Sequence, residues 1–280
     1  CAITKEKRMV KLLQIVIFPE KCARMKSLKA SLKIILFLCL CALVVPCQFV
    51  YLLFVKGYSA YTIPYLWQRC VCKVFGIKVT VKGVALSKHQ TVYCSNHLSY
   101  LDIPAIGSVL KASFVAKSEV EKWPVFGFLS KLQQTIFISR RRHDAKKGAE
   151  KIKTGLSDGK NIILFPEGTS SDGRSLLPMK AAMLSPLVGL SDVYIQPFTI
   201  LIRKVDDQEI NNNDQQQGLR DLYAWHGDME LAPHLWRFLQ GKGAEIDLIL
   251  HEPISAHDMG DRKRLVALCE EKIRIALVTV

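Results

Sequence analysis

Acidic residues are scarce relative to basic ones: 25 Asp and Glu stand against 39 Lys and Arg, a formal charge of +14. That balance calls for an anionic partner, with a lipid surface, an acidic substrate and nucleic acid as the candidates. The nine cysteines include no Cys-x-x-Cys pair, so a structural zinc site has no support. Free thiols that behave as small hydrophobes fit a reducing, cytosol-facing protein. Gly155-Leu-Ser-Asp-Gly159 has Gly-x-Ser-x-Gly spacing but ends the predicted helix His143–Ser157 instead of joining a strand to a helix, which disfavours a serine hydrolase. Gly155-Leu-Ser-Asp-Gly-Lys160 is one residue short of a P-loop and is followed by Asn161 where Ser or Thr belongs. His226, His234, His251 and His257 lack ligand-like spacing, so neither a metal nor a cofactor is expected. An aromatic RNA-binding motif and internal repeats are absent as well, and no nucleic-acid partner is expected.

One stretch has no charge at all. Ile34–Val55 is 22 uncharged residues, long enough to cross a bilayer. Residues 1–33 read as a basic leader, with nine Lys and Arg against Glu6 and Glu20, and keep the N-terminus in the cytoplasm. Within that leader, Met25-Lys-Ser-Leu-Lys reads as a more natural opening than Cys1. Pro46 and Gln48 interrupt the middle of the apolar run, and a second apolar and aromatic piece follows at Tyr58–Phe75. The expectation is a membrane-inserting helical hairpin over 34–76, bent at Pro46 and at Ile63-Pro64, which enters one leaflet and returns. A plain span is the less favoured alternative, because it would place the remaining residues, with their unpaired thiols, in an oxidising space outside the cell.

From Ile77 short strands and helices alternate. Strands are expected at Lys78–Gly83, Thr91–Cys94, Ser113–Ala116, Ile136–Ser139, Asn161–Phe165, Tyr194–Leu201 and Glu245–His251. Helices are expected near Leu101–Leu110, Glu119–Leu132, His143–Ser157, Pro178–Leu190 and Arg262–Leu277. The fold class is therefore α/β, a mixed, largely parallel sheet flanked by helices, with an N-terminal helical membrane anchor and an α/β domain over 77–280. Asp206–Gln217 is polar and low in complexity and reads as a mobile surface loop.

In such a sheet, ligands gather at the carboxyl ends of the strands. His97, Arg140 and Glu167 all follow predicted strands. His97 and Asp102 are five residues apart. On an unbroken α-helix they would point about 140° apart, so they meet only if the chain turns between them. An imidazole so held is a general base with a fixed tautomer. Ser99-x-x-Asp102 also reads as a capping box, and Pro104 favours a helix that starts nearer Asp102. Phe165-Pro-Glu-Gly-Thr-Ser170 is a rigid turn that carries Glu167, or else an ordinary turn at a strand end. Arg140, with Arg141 and Arg142 next, ends another strand and suits a phosphate or carboxylate, or simply forms a solvated basic cluster.

Together, Asn96-His97-x4-Asp102, Ile136-Phe-Ile-x-Arg140 and Phe165-Pro-Glu-Gly-Thr-Ser170 resemble the glycerolipid acyltransferase family, which includes the 1-acyl-glycerol-3-phosphate acyltransferases. A fourth block ending at Pro197 fits the same pattern, and the resemblance covers roughly residues 77–255. The second block often opens with glycine in that family, where this chain has Gln133-Gln134. Trp225–Trp236 looks like the version in alphaproteobacterial members, both phosphatidic-acid-forming and lyso-ornithine-lipid-acylating. The resemblance implies an O-acyltransferase that takes an acyl chain from acyl-CoA or acyl-carrier protein. The acceptor would be 1-acyl-glycerol-3-phosphate or, alternatively, lyso-ornithine lipid, at the cytoplasmic face of the bacterial inner membrane. It casts His97 and Asp102 as catalytic and Arg140, Glu167, Gly168 and Thr169 as substrate-binding. A basic membrane-binding protein without activity is the reading from outside the enzyme class.

Overall fold

The structure, a computed structural model, describes residues 2–86, 88–139, 141–211 and 216–278, with side chains from residue 23 onward other than that of Arg142. Among the described residues, nine strands form one sheet: β1 (Ile77–Lys82), β2 (Gln90–Ser95), β3 (Ser113–Lys117), β4 (Ile136–Ile138), β5 (Ile162–Leu164), β6 (Val193–Val205), β7 (Gln208–Glu209), β8 (Ala244–Leu250) and β9 (Ile254–Ser255). The helices are α1 (Ala2–Phe54), α2 (Thr62–Phe75), α3 (Asp102–Gly107), α4 (Phe126–Leu132), α5 (Ala145–Ser157), α6 (Ala181–Leu184), α7 (Gln217–Arg220), α8 (Leu231–Gln240) and α9 (Arg262–Val278). Strand order is β1-β8-β6-β2-β5-β3-β4, with β7 and β9 also paired to β6. The pairs β2·β5, β2·β6, β3·β5, β3·β4 and β1·β8 are parallel, while β6 is antiparallel to β8. The mixed, largely parallel sheet read from the sequence is thus the one observed.

Alternation along the strands sends side chains to two cores. Tyr93, Phe114, Ile163, Phe198 and Ile200 meet α1, α2, α3 and α8 on one face. Val92, Cys94, Ile162, Leu164 and Ile195 meet α5, α6 and α9 on the other. Pro197 stands between the β9 pairing at Ile195 and the β8 pairing at Phe198, where a missing donor costs little.

The N-terminal helices depart from expectation. Helix α1 continues through Pro46, and the chain reverses at 55–61 instead. Packing holds α1 on both sides of the proline, which outweighs the lost helical bond. Phe37 packs on Trp67 and Phe75, and Gln48 Nε2 donates to Ala60 O and Leu132 O at 3.2 Å each. Lys33 is buried within α1, its Nζ donating to Phe75 O and Gly241 O. Ile63-Pro64 does open a helix, since Pro64 lies in the first turn of α2, where N–H groups have no helical partner.

Three other expectations are redrawn. Glu119–Leu132 divides at Trp123-Pro124 into a 3-10 turn and α4, and of Pro178–Leu190 only α6 and a 3-10 turn are helical. Part of the polar 206–217 stretch is ordered as a tight β6–β7 hairpin. Asp206 and Asp207 take φ values of 52° and 65° there, as a two-residue hairpin turn requires. Residues 212–215 lie outside the described residues.

The glutamines that replace glycine close α4 with a Schellman motif. Thr135 N–H donates to Ser130 O and Gln134 N–H to Lys131 O, which places Gln134 at the left-handed position with φ 59°. Gln134→Gly is therefore expected to stabilise the protein by about 0.5–1 kcal/mol, relief of left-handed strain outweighing added unfolded-state entropy. An increase of a few degrees in Tm checks this; an unchanged or lower Tm contradicts it.

Candidate active site

Strand β2 ends in a turn clipped to its neighbour. Asn96 Nδ2 donates to Ile200 O at 2.9 Å, and Asn96 Oδ1 accepts from Ile200 N at 2.8 Å. Helix α3 then starts at Asp102, the later of the two starts considered from sequence. This turn brings the two residues together: His97 Nδ1 lies 2.8 Å from Asp102 Oδ2. The same oxygen accepts from Leu98 N at 2.7 Å and Ser99 N at 3.0 Å, so the capping contact and the imidazole contact coexist. Asp102 Oδ1 accepts from Tyr223 Oη at 3.0 Å. The carboxylate is fully buried and fully used, while the His97 side chain is 21% exposed. A carboxylate only accepts, which assigns the proton to Nδ1 and leaves Nε2 as the basic nitrogen. The ring is held flat against Phe165, with centroids 4.1 Å apart and planes 16° apart.

The Phe165–Ser170 stretch supports the same turn from below. Glu167 Oε1 accepts from His97 N at 2.8 Å and Oε2 from Leu177 N at 2.9 Å. Ser171 N donates to His97 O at 2.8 Å, so both backbone groups of His97 are fixed by one loop. Expected as a head-group contact, the Glu167 carboxylate is instead 2% exposed, with both oxygens engaged by backbone. Gly168 has φ 71°, and the side chain of Lys180 passes where its Cβ would stand. Thr169 is exposed beside it. Arg140 lies outside the described residues.

Burial raises the pKa of Glu167 from 4.5 to about 7, against its two N–H donors, and the nearby Asp102 charge adds to the rise. A folded-state pKa above the unfolded one means that the folded protein holds the proton more tightly. The stability from this group is complete below about pH 4.5 and declines as pH rises to about 7. Glu167→Gln is expected to flatten the dependence of Tm on pH across that window. Parallel curves for variant and wild type would contradict it.

A further tier escaped the sequence reading. Tyr223 is fully buried and binds Asp102 from 121 residues away. Next to it, Tyr100 Oη donates to His234 Nδ1 at 2.8 Å, while His234 Nε2 faces Asp221 O and Ala224 O at 3.1 Å each. Two carbonyls require a proton on Nε2, so His234 is a structural tie with a lowered pKa caused chiefly by burial. Its position within Trp225–Trp236 was the one available signal. Tyr223→Phe leaves Asp102 Oδ1 without its donor, and kcat is expected to fall about tenfold at a cost of about 1–3 kcal/mol in stability. Unchanged kcat in a destabilised protein would mark Tyr223 as structural only.

A family model described as Acyltransferase matches residues 76–201, which hold His97, Asp102, Glu167 and Pro197. A lyso-ornithine lipid O-acyltransferase of Brucella abortus is 32% identical over 240 residues, covering 83% of this chain and 88% of that protein. The chain belongs to the acyltransferase family. A 1-acyl-sn-glycerol-3-phosphate acyltransferase of Neisseria gonorrhoeae is also 32% identical, over 64% of this chain and 66% of its own. The fold matches the crystal structure of the 1-acyl-sn-glycerophosphate acyltransferase PlsC from Thermotoga maritima. The TM-score is 0.63 at 19% identity, covering 90% of this chain and 93% of that one. Within this acyltransferase, Tyr223 and His234 fall beyond the segment matched by the family model.

Proposed function

We propose that the protein transfers a fatty acyl chain from a thioester, acyl-CoA or acyl-carrier protein, to the free hydroxyl of a lysolipid, with His97 as general base. The observation that carries this reading is a buried carboxylate with all its contacts made, aimed at Nδ1 of an imidazole whose far nitrogen is accessible. His97 Nε2 takes the hydroxyl proton as the oxygen attacks the thioester carbonyl. Asp102 stabilises the imidazolium, which returns the proton to the departing thiolate. The substrate hydroxyl takes the place of a side-chain nucleophile, so the acyl group moves in one displacement. Glu167 and Ser171 act as positioning residues for His97. Thr169, Gly168 and Arg140 are assigned to the acceptor head group, Arg140 on its place after β4 and on guanidinium chemistry.

Lyso-ornithine lipid is the favoured acceptor, because likeness to proteins of that name extends over 83% of the chain against 64% for the gonococcal 1-acyl-glycerol-3-phosphate enzyme. Acylation of 1-acyl-glycerol-3-phosphate is the second reading, supported by an equal identity over the shared portion. The anchor supports access from a leaflet. One stripe of α1, through Ala30, Phe37, Cys41 and Gln48, packs on the protein. The other side leaves Leu28, Leu32, Leu36, Leu43 and Leu53 exposed. The hairpin is proposed to rest in the cytoplasmic leaflet of the inner membrane, where a cytosolic thioester and a membrane lysolipid meet. Purified enzyme offered both lysolipids with acyl thioester tests this: an O-acylated lipid must form from at least one, with lyso-ornithine lipid used faster. No acylated lipid from either would overturn the reading.

A further inference from the structure

Most of the net positive charge lies in residues 1–76, with 12 Lys and Arg against Glu6 and Glu20, but a further basic concentration lies elsewhere. Residues 140–153 hold seven Arg and Lys against Asp144 and Glu150. Gly148 and Gly155 let α5 pack closely on Ile138 and Ile136 of edge strand β4, with Gly148 opposite the strand's end and Gly155 opposite its start. The first turn of α5 therefore stands at the ligand edge of the sheet. Gly148, Ile152, Gly155 and Leu156 are turned inward, while Lys146, Lys147, Lys151 and Lys153 are exposed.

This charge does not serve the helix. Lys146 and Lys147 lie in the first turn, which has no acidic residue, and cations there oppose the helix dipole. Lys147 and Lys151, four residues apart, repel one another. Nor is the face turned toward lipid. It caps the core formed with α6 and α9, whereas α1 and α2 cover the opposite side of the sheet. A membrane against the exposed side of α1 is separated from α5 by the hairpin and the sheet.

We infer that the outer face of α5 docks an acidic soluble protein, the acyl-carrier protein that delivers the thioester. Charge complementarity selects the occupant: an acidic helical surface fits a row of exposed lysines on a rigid helix and steers encounter. Position gives the row its use. β4 is separated from β2 by β3 and β5, so three strand spacings, roughly 14 Å, lie between the α5 edge and His97. A flexible prosthetic arm on the docked partner spans that distance and brings its thioester carbonyl to His97 Nε2. The inference rests on the proposed acyl transfer and names its donor.

The test uses the full-length enzyme in vesicles, comparing wild type with the triple variant Lys146→Glu/Lys147→Glu/Lys153→Glu. With acyl-carrier protein as donor, KM is expected to rise at least about tenfold and to lose most of its salt dependence. With acyl-CoA, kcat/KM is expected to stay within about twofold, since a rim charge acts on its own partner. Equal losses with both donors, no change with the carrier protein, or loss of vesicle binding in place of donor discrimination would each overturn the inference. Direct binding of acyl-carrier protein separates this from failure of the transfer reaction itself. Weaker binding by the variant supports the docking face even if neither donor is turned over, and equal binding overturns it.

Discussion

His97→Ala is expected to lower acyl transfer by about a hundred- to ten-thousandfold, with folding and membrane binding retained. The alcohol of a lysolipid is a weak nucleophile near neutral pH, and removal of its proton during attack is the contribution assigned to Nε2. The ring is partly exposed and packs on one side against Phe165, so its removal leaves no large buried void. His97's backbone bonds to Glu167 and Ser171 survive the change to alanine. A near-wild-type Tm with abolished turnover is therefore the expected pair of results. Retention of a tenth of wild-type turnover would remove His97 from the base role.

Asp102→Asn is expected to cost at least about a hundredfold in kcat, with KM for both substrates changed by less than about threefold. The local bonds decide how the amide sits. Three N–H donors, from His97, Leu98 and Ser99, converge on Oδ2, and one hydroxyl, from Tyr223, meets Oδ1. An amide oxygen toward the three N–H groups and an amide nitrogen toward the hydroxyl satisfies every partner, because a phenol oxygen also accepts. The variant therefore folds and keeps the proton on Nδ1, but the imidazolium formed during transfer has lost its counter-charge. Tyr223→Phe added to Asp102→Asn should cost less than it does alone, since the two changes act on one contact. A variant with full kcat would show that Asp102 merely fixes the turn before α3.

The sheet was legible because most of its central strands are short apolar runs separated by polar turns: Ile162–Leu164 falls within the expected Asn161–Phe165, and β6 contains the expected Tyr194–Leu201 but runs on to Val205. His97 and Asp102 were legible because their separation needs a turn between strand and helix. Residues whose roles depend on distant packing were not. Glu167 reads as an exposed acid on a turn, yet the fold closes over it and gives both oxygens to backbone N–H groups. Tyr223 joins the site only through tertiary structure, beyond a polar stretch that carries no periodic signal. Pro46 signals a break by local rules, but contacts of Phe37 and Gln48 on either side of it keep α1 continuous. The glycine missing before β4 shifted left-handed strain onto Gln134 without changing the motif.

Direct attack by the lysolipid hydroxyl is the central proposed step, and thiol release in a single turnover measures it. Enzyme in excess over acyl thioester is mixed with and without lysolipid, and free thiol and acylated lipid are followed together. With direct attack, thiol appears only in the presence of the acceptor, one per lipid acylated, and both are lost in His97→Ala. One equivalent of thiol per thioester without acceptor, with the acyl group retained on the protein, would contradict it.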